Sequence, residues 1–94
     1  MENVIVISGD TKEDVILSGL EWENAYELSA IPSGTAITIQ NKTTDYLYVF
    51  VKSEKPPVEI SDGIKIAVGQ SAQVAASQSG CWLSGYGRVN IRVT

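Results

Sequence analysis

Apolar and polar residues alternate with a period of two along much of the chain. Residues 37–40 read Ile-Thr-Ile-Gln, and residues 89–94 read Val-Asn-Ile-Arg-Val-Thr. Successive side chains of a strand point to opposite faces, so this alternation predicts strands with one buried face. Turn-forming residues such as Ser61-Asp62-Gly63 recur about every 8–12 residues, a spacing typical of β sandwiches and barrels.

The pattern predicts one antiparallel β domain over residues 1–94, an all-β sandwich of the jelly-roll kind. A short segment, Leu20–Leu28, has helical spacing, but Asn24 and Tyr26 favour a turn or an irregular strand there. We expect less than about a tenth of the residues in helix. The predicted strands are residues 3–7, 14–17, 24–29, 35–40, 46–52, 64–68, 71–76, 81–84 and 88–93.

The strand at residues 46–52 is the most apolar of the set and is predicted to be central. Its two faces are Leu47, Val49 and Val51 on one side and Tyr46, Tyr48 and Phe50 on the other. Because both faces are apolar, we expect the second sheet to cover the first and a loop or a partner to cover the aromatic one. The predicted shared core consists of Val49, Val51, Ile66, Val74, Val89 and Ile91.

Composition narrows the chemistry that is open to the chain. The 94 residues include no histidine and one cysteine, so the usual general base, the commonest metal ligand and any intrachain disulfide are excluded. The net charge of −4 argues against nucleic acid or an anionic membrane as a partner. No segment resembles a signal peptide or a membrane span. We expect a non-enzymatic protein without cofactor or metal, kept in the cytoplasm of the cell that makes it.

The remaining chemical candidates have structural explanations. The carboxylates of Asp10–Asp14 surround Lys12, which would repel a cation, so a solvated turn is expected rather than a metal site. Cys81 has no histidine to activate it and is expected to be a buried small hydrophobe. Asn41-Lys42-Thr43 matches a glycosylation sequon by chance. The glycines of 63–69 and 80–87 match no phosphate-binding motif and are predicted turn residues with positive φ.

Charge is divided unevenly along the chain. Residues 1–27 carry seven acids and one base, a net charge of −6, whereas residues 28–94 carry +2. The segment is either a solvated acidic region or an end that meets a basic surface on another protein or on the next copy.

The aromatic residues allow two interpretations. Trp22, Trp82 and Tyr86 could build a stacking platform for a sugar, together with neighbouring Asn and Gln side chains. Aromatic residues in small domains are also core or interface anchors, and Tyr46, Tyr48 and Phe50 are the candidate anchors here.

The order of parts in residues 35–93 resembles small virion structural proteins of tailed bacteriophages, of the capsid decoration, head–tail or tail-accessory kind. The matching features are the strand end Ile39-Gln-Asn-Lys-Thr43, the Gly63-Ile-Lys-Ile turn, the late strand Trp82-Leu-Ser-Gly85 and the final alternating strand Val89–Val93. Residues 1–34 lie outside this resemblance.

The resemblance implies an assembly role in the virion without catalytic residues, contacts with other capsid or tail proteins, and a homo-oligomer that buries the second face of strand 46–52. The alternative is a receptor- or carbohydrate-binding β sandwich that uses Trp22, Trp82 and Tyr86.

Overall fold

The computed structural model describes Val4, residues 11–57 and residues 63–94. The predicted strand 3–7 lies outside these residues, apart from Val4. The elements in chain order are β1 (Val15–Ser18), β2 (Glu23–Asn24), α1 (Ala25–Ser29), β3 (Ile37–Asn41), β4 (Leu47–Phe50), β5 (Ile64–Ile66), β6 (Ser71–Val74), β7 (Trp82–Ser84) and β8 (Tyr86–Val93).

The strands form two four-stranded antiparallel sheets with the orders β1-β8-β3-β6 and β2-β7-β4-β5. The pairs β1–β8, β2–β7, β3–β6 and β4–β5 are those of one long hairpin, rolled so that successive pairs alternate between the sheets. This is the jelly-roll order, so the predicted fold class is confirmed. Strand β4 lies between β7 and β5, in agreement with the predicted central position of residues 46–52.

One hydrophobic core fills the space between the sheets. It contains every predicted core residue except Val51, which is 41% exposed. The prediction for Val51 is wrong because β4 ends at Phe50, so the alternation that buries Leu47 and Val49 no longer applies one residue later. The buried residues are Leu17, Ala25, Tyr26, Ile31, Ile37, Ile39, Leu47, Val49, Ile66, Val74, Cys81, Leu83, Val89 and Ile91.

The predicted strand 24–29 is wrong, because residues Ala25–Ser29 form a helix. The Asn24 side chain accepts hydrogen bonds from the backbone N–H groups of Tyr26 (2.9 Å) and Glu27 (3.3 Å), which caps the helix N-terminus. Asn24 therefore starts the helix that it was expected to disfavour. This helix is the only one in the described part of the chain, so the expectation of little helix holds there.

Strands β7 and β8 form nearly one continuous extended segment that passes from one sheet to the other. Only Gly85 separates them, and a Cβ built there would lie 3.3 Å from a methyl carbon of Leu47. Strand β8 is longer than predicted, since it begins at Tyr86 rather than at residue 88. This segment ties both sheets together along one side of the core.

The turn between β3 and β4 is built around Asn41, whose side chain is fully buried. Its Nδ2 donates to the carbonyl oxygens of Asp45 (2.8 Å) and Ile66 (2.9 Å). Its Oδ1 accepts from the Thr43 backbone N–H (2.9 Å) and from the Thr43 hydroxyl (2.7 Å). The amide of the apparent sequon is thus occupied within the fold.

The prediction of positive φ at the glycines holds for Gly69 and Gly87 only. Gly63, Gly80 and Gly85 have no positive φ, and the prediction is wrong for them. Other groups pack so closely against these three that a side chain would meet them, so the small size of glycine matters there rather than its conformational freedom.

Candidate interaction surfaces

The aromatic face of β4 is covered largely by the chain itself. Tyr48 and Phe50 are half-buried, with the Trp22 ring in an edge-on contact with Phe50 at 5.9 Å between centroids. Gly63 packs against Tyr48 and Trp22, where an added Cβ would lie 2.9 Å from the Trp22 ring. The sequence predicted that either a loop or a partner covers this face. Loops of the same chain cover much of it.

Tyr46 is the most exposed of the three proposed interface aromatics, at 46%. The Lys65 ammonium lies 4.0 Å above its ring centroid, a cation–π contact between the loop before β4 and strand β5. Tyr46 is therefore held in position at the surface with part of its ring accessible. An accessible ring that is fixed in place is suited to an interface, because little side-chain entropy is lost on docking.

The structure does not assemble Trp22, Trp82 and Tyr86 into one stacking platform. Trp22 is buried, and its Nε1 has no hydrogen-bond partner among the described residues. Trp82 is half-buried in β7, and its Nε1 donates to the Lys52 carbonyl oxygen at 2.9 Å. Tyr86 is 77% exposed on β8, in the other sheet. Of these three residues, only Trp22 and Trp82 lie close to each other, beside one cavity.

A shallow cavity of about 390 Å³ lies beside these two tryptophans. Its polar lining includes Glu21, Asn24 and Lys55, and the Lys55 Nζ to Glu21 Oε2 distance is 3.0 Å. The Asn24 side-chain oxygen is already used in the helix cap. The cavity thus pairs an indole surface with polar groups, the combination that a sugar requires.

The acidic segment is partly neutralised within the molecule. The Lys42 ammonium donates to Asp14 at 2.7 Å and the Asn90 amide donates to it at 3.0 Å. These two hydrogen bonds, that from Lys42 foremost, lower the pKa of the Asp14 carboxyl. Glu23 accepts from the Ser18 backbone N–H at 3.0 Å. Part of the negative charge of residues 1–27 is therefore used in contacts within the molecule, and less of it is free to orient a partner.

Basic side chains lie on the outer face of the first sheet. Arg88 and Arg92 are exposed and share a side of β8, since buried Val89 and Ile91 alternate with them. Lys42, just after β3, also lies at the surface. Acidic Asp14 lies among these basic side chains, since Lys42 bonds to it at 2.7 Å and Arg88 contributes to lowering its pKa. The division of charge along the sequence is therefore not a division between two faces of the molecule.

An exposed apolar patch on the β1–β8 side was not anticipated from the sequence. It consists of Ile16, Leu20 and Tyr86, which are 65%, 80% and 77% exposed. Ser18 pairs with Tyr86 and Ile16 pairs with Arg88, so Ile16 and Tyr86 are diagonal neighbours on the outer face. One residue in the sequence indicates this patch. Ile16 lies between Val15 and Leu17, so it breaks the alternation expected for a strand with one buried face.

A second apolar surface lies at the opposite edge of the sandwich, where β5 and β6 leave the space between the sheets open. This β5–β6 groove has a volume of about 240 Å³. Ile64 is 69% exposed, although it is paired in register with inward-facing Val49. The groove is lined by Val49, Val51, Ile64, Ala72, Gln73, Val74, Ala75 and Gln78.

Two titratable side chains, those of Cys81 and Tyr26, lie in the core. Cys81 is fully buried, as expected, and burial raises the pKa of its thiol to about 11. Burial also raises the pKa of Tyr26, whose hydroxyl donates to the Thr35 carbonyl oxygen at 2.9 Å. Residues 11–57 and 63–94 contain no group of three acids or cysteines placed to hold a metal ion.

Comparison with known proteins finds no matching family model, no matching curated relative and no matching solved structure. In the described residues, no helix has the length and apolar character needed to cross a membrane. The fold and its surfaces define a class: a small jelly-roll β sandwich with a filled core and apolar patches on two opposite sides.

Proposed function

We propose that this chain is a non-enzymatic structural protein of a tailed-phage virion, a capsid decoration (cement) or head–tail accessory protein that acts through protein–protein contacts. The observation that carries the proposal is the exposure of large apolar side chains on the outside of a jelly roll whose core is already filled. Jelly rolls are common in viral capsid proteins, but fold alone does not define function. The surface patches therefore carry the argument.

The free energy gained by burying apolar surface supports a docking role for these patches. Covering an exposed apolar surface gains about 25 cal/mol per Å² of area removed from water, and aromatic rings are preferred anchors. Tyr86 lies on β8 of the first sheet and Tyr46 lies directly before β4 of the second, so the chain offers two separate aromatic contacts. In this proposal the partners are other capsid or tail proteins and further copies of the chain, with no nucleic acid or membrane contact. Synthesis in the host bacterial cytoplasm precedes incorporation into the virion.

Binding to virions tests the proposal directly. Purified chain is mixed with particles of the phage that encodes it, and the fraction that sediments with the particles is measured. We expect saturable binding that weakens about tenfold or more in Tyr86→Asp or in Tyr46→Asp. Thr44→Asp, at an exposed polar position, is the control and leaves binding unchanged. Absence of saturable binding, or equal loss in all three variants, would contradict the proposal.

The second candidate is a receptor- or carbohydrate-binding module. It is favoured by the cavity that places Trp82 beside Asn24 and Glu21. A glycan array followed by calorimetry would detect it, and Trp82→Ala should then abolish binding while Tyr86→Ala leaves it intact. Binding that responds to Tyr86 instead would exclude this cavity as the glycan site.

A further inference from the structure

We propose that the β5–β6 groove of one copy receives the apolar segment Asn3–Ile7 of a second copy, as an added strand along β6. The inference deepens the homo-oligomer part of the proposed function and rests on it. It concerns how copies of the chain recognise one another, whatever the larger assembly.

The groove has the form of an acceptor site. Strand β6 pairs with β3 on one side and, within residues 11–57 and 63–94, with no strand on the other. A free strand edge presents unpaired N–H and C=O groups and readily accepts a further strand. Beside this edge, exposed Ile64 and Val51 leave the space between the sheets open to solvent. An added strand would pair its backbone with β6 and place alternate side chains over these residues.

The sequence supplies a donor of matching character. Residues 3–7 read Asn-Val-Ile-Val-Ile, a β-branched run with the strand propensity and the two-residue period that such a site requires. This run is one residue longer than the four-residue strand β6, so it can pair along the whole of that strand. Val4 is 78% exposed, so its side chain is not covered by the rest of its own chain.

The positions of the edge strands favour a donor segment from a second copy over one from the same copy. Residues 11–14 lie beside Val15, at β1, and β1 and β6 are the two opposite edges of the first sheet. The donor segment is therefore attached at one edge of the molecule and the acceptor groove lies at the other. A contact between two different surfaces is heterologous, so repeated copies close into a ring or extend into a filament.

Self-association of the purified chain tests the inference, and no virion is needed. Light scattering and sedimentation velocity would be recorded from about 1 µM to about 1 mM, a range that covers weak to moderate affinities. The donor variant is Ile5→Asp with Val6→Asp, which covers both side-chain parities, and the acceptor variant is Ile64→Asp. We expect each to weaken association about tenfold or more.

Mixing the two variants gives the sharpest outcome. One variant retains an intact groove and the other an intact donor segment, so the mixture should form a one-to-one complex that neither forms alone. Thr44→Asp is the control: it adds the same charge at an exposed polar position outside the groove and should associate as the unaltered chain does. A synthetic peptide of residues 1–10 should compete with association, whereas the same peptide with both aspartates should not.

Several outcomes would overturn the inference. An unaltered chain that stays monomeric over the whole range contradicts it, as does a mixture that forms no complex. Equal loss in Thr44→Asp would assign the effect to added surface charge rather than to the groove. Virion binding is measured separately from self-association. A negative result in these tests therefore does not contradict the proposed function.

Discussion

Replacing Asn41 with alanine removes the one side chain that holds the β3–β4 turn, the Asp45 backbone and β5 together. The side chain makes four hydrogen bonds, two as donor and two as acceptor, and it is fully buried. Each neutral hydrogen bond contributes about 0.5–1.5 kcal/mol net, which gives about 2–6 kcal/mol in total.

The backbone groups that lose their hydrogen-bond partner in Asn41→Ala lead to a similar change in the free energy of unfolding. The Thr43 backbone N–H and the Ile66 carbonyl oxygen each lose this buried partner, at about 1–3 kcal/mol each. The Asp45 carbonyl oxygen keeps a donor, because the single proton of the Thr43 hydroxyl, which lies 2.7 Å from both Asn41 Oδ1 and the Asp45 oxygen, turns to Asp45 when Asn41 is absent. We therefore expect Asn41→Ala to lower the free energy of unfolding by about 3–4 kcal/mol, a large part of the about 5–15 kcal/mol typical of a domain.

Urea unfolding followed by tryptophan fluorescence measures this change through the midpoint at constant slope. Asn90→Ala is the matched control, because the Asn90 amide also donates twice, to Asp14 and to the Lys12 carbonyl oxygen, but is only half-buried. Water can replace its bonds, so the expected loss is about 1 kcal/mol or less. Equal losses in the two variants would refute the reasoning.

Three further predictions concern the core, a close approach and alkaline pH. Ile91→Ala should cost about 2–5 kcal/mol in urea unfolding, whereas Val51→Ala should cost less than about 1 because Val51 is exposed; similar losses would show that the core is misassigned. Gly80→Ala should destabilise by more than the about 1 kcal/mol typical of a point mutation, because its Cβ would collide with the Lys52 carbonyl oxygen; unchanged stability would contradict this. Burial raises the pKa of Cys81 from 9.0 to about 11, so its stabilisation is complete below pH 9 and is lost as the pH rises towards 11, by up to about 3 kcal/mol. Cys81→Ala should lack this alkaline loss, and identical pH profiles for the two proteins would contradict it.

The sequence was sufficient to predict the class of fold, since turns and two-residue periodicity depend on local order along the chain. The facing of Leu47 and Val49 against Tyr48 and Phe50 followed from the same alternation. The helix at Ala25–Ser29 did not, because it depends on one cap and on packing by Tyr26, which a five-residue window does not reveal.

The candidate surfaces were harder to predict. Burial of Trp22 depends on Gly63 and Phe50, which are distant in sequence and meet only when the second sheet forms. The groove depends on which strands lie at the edges, and the exposure of Ile64 follows from that order alone. A periodic pattern shows which residues face inward, but it cannot show where the sandwich is left open.

The position of β8 has a consequence for how the protein emerges from the ribosome. Strand β8 separates β1 from β3, and its register joins Val15 to Val89. The first sheet cannot close until nearly the whole described chain has been synthesised, and such distant pairings slow folding. Until then, within residues 11–57 and 63–94, β1 has no partner strand and β3 has one open edge. Open strand edges accept further strands, so neighbouring nascent copies can pair there. We therefore expect crowded polysomes to favour aggregation, and slower translation near residue 86 should not prevent it.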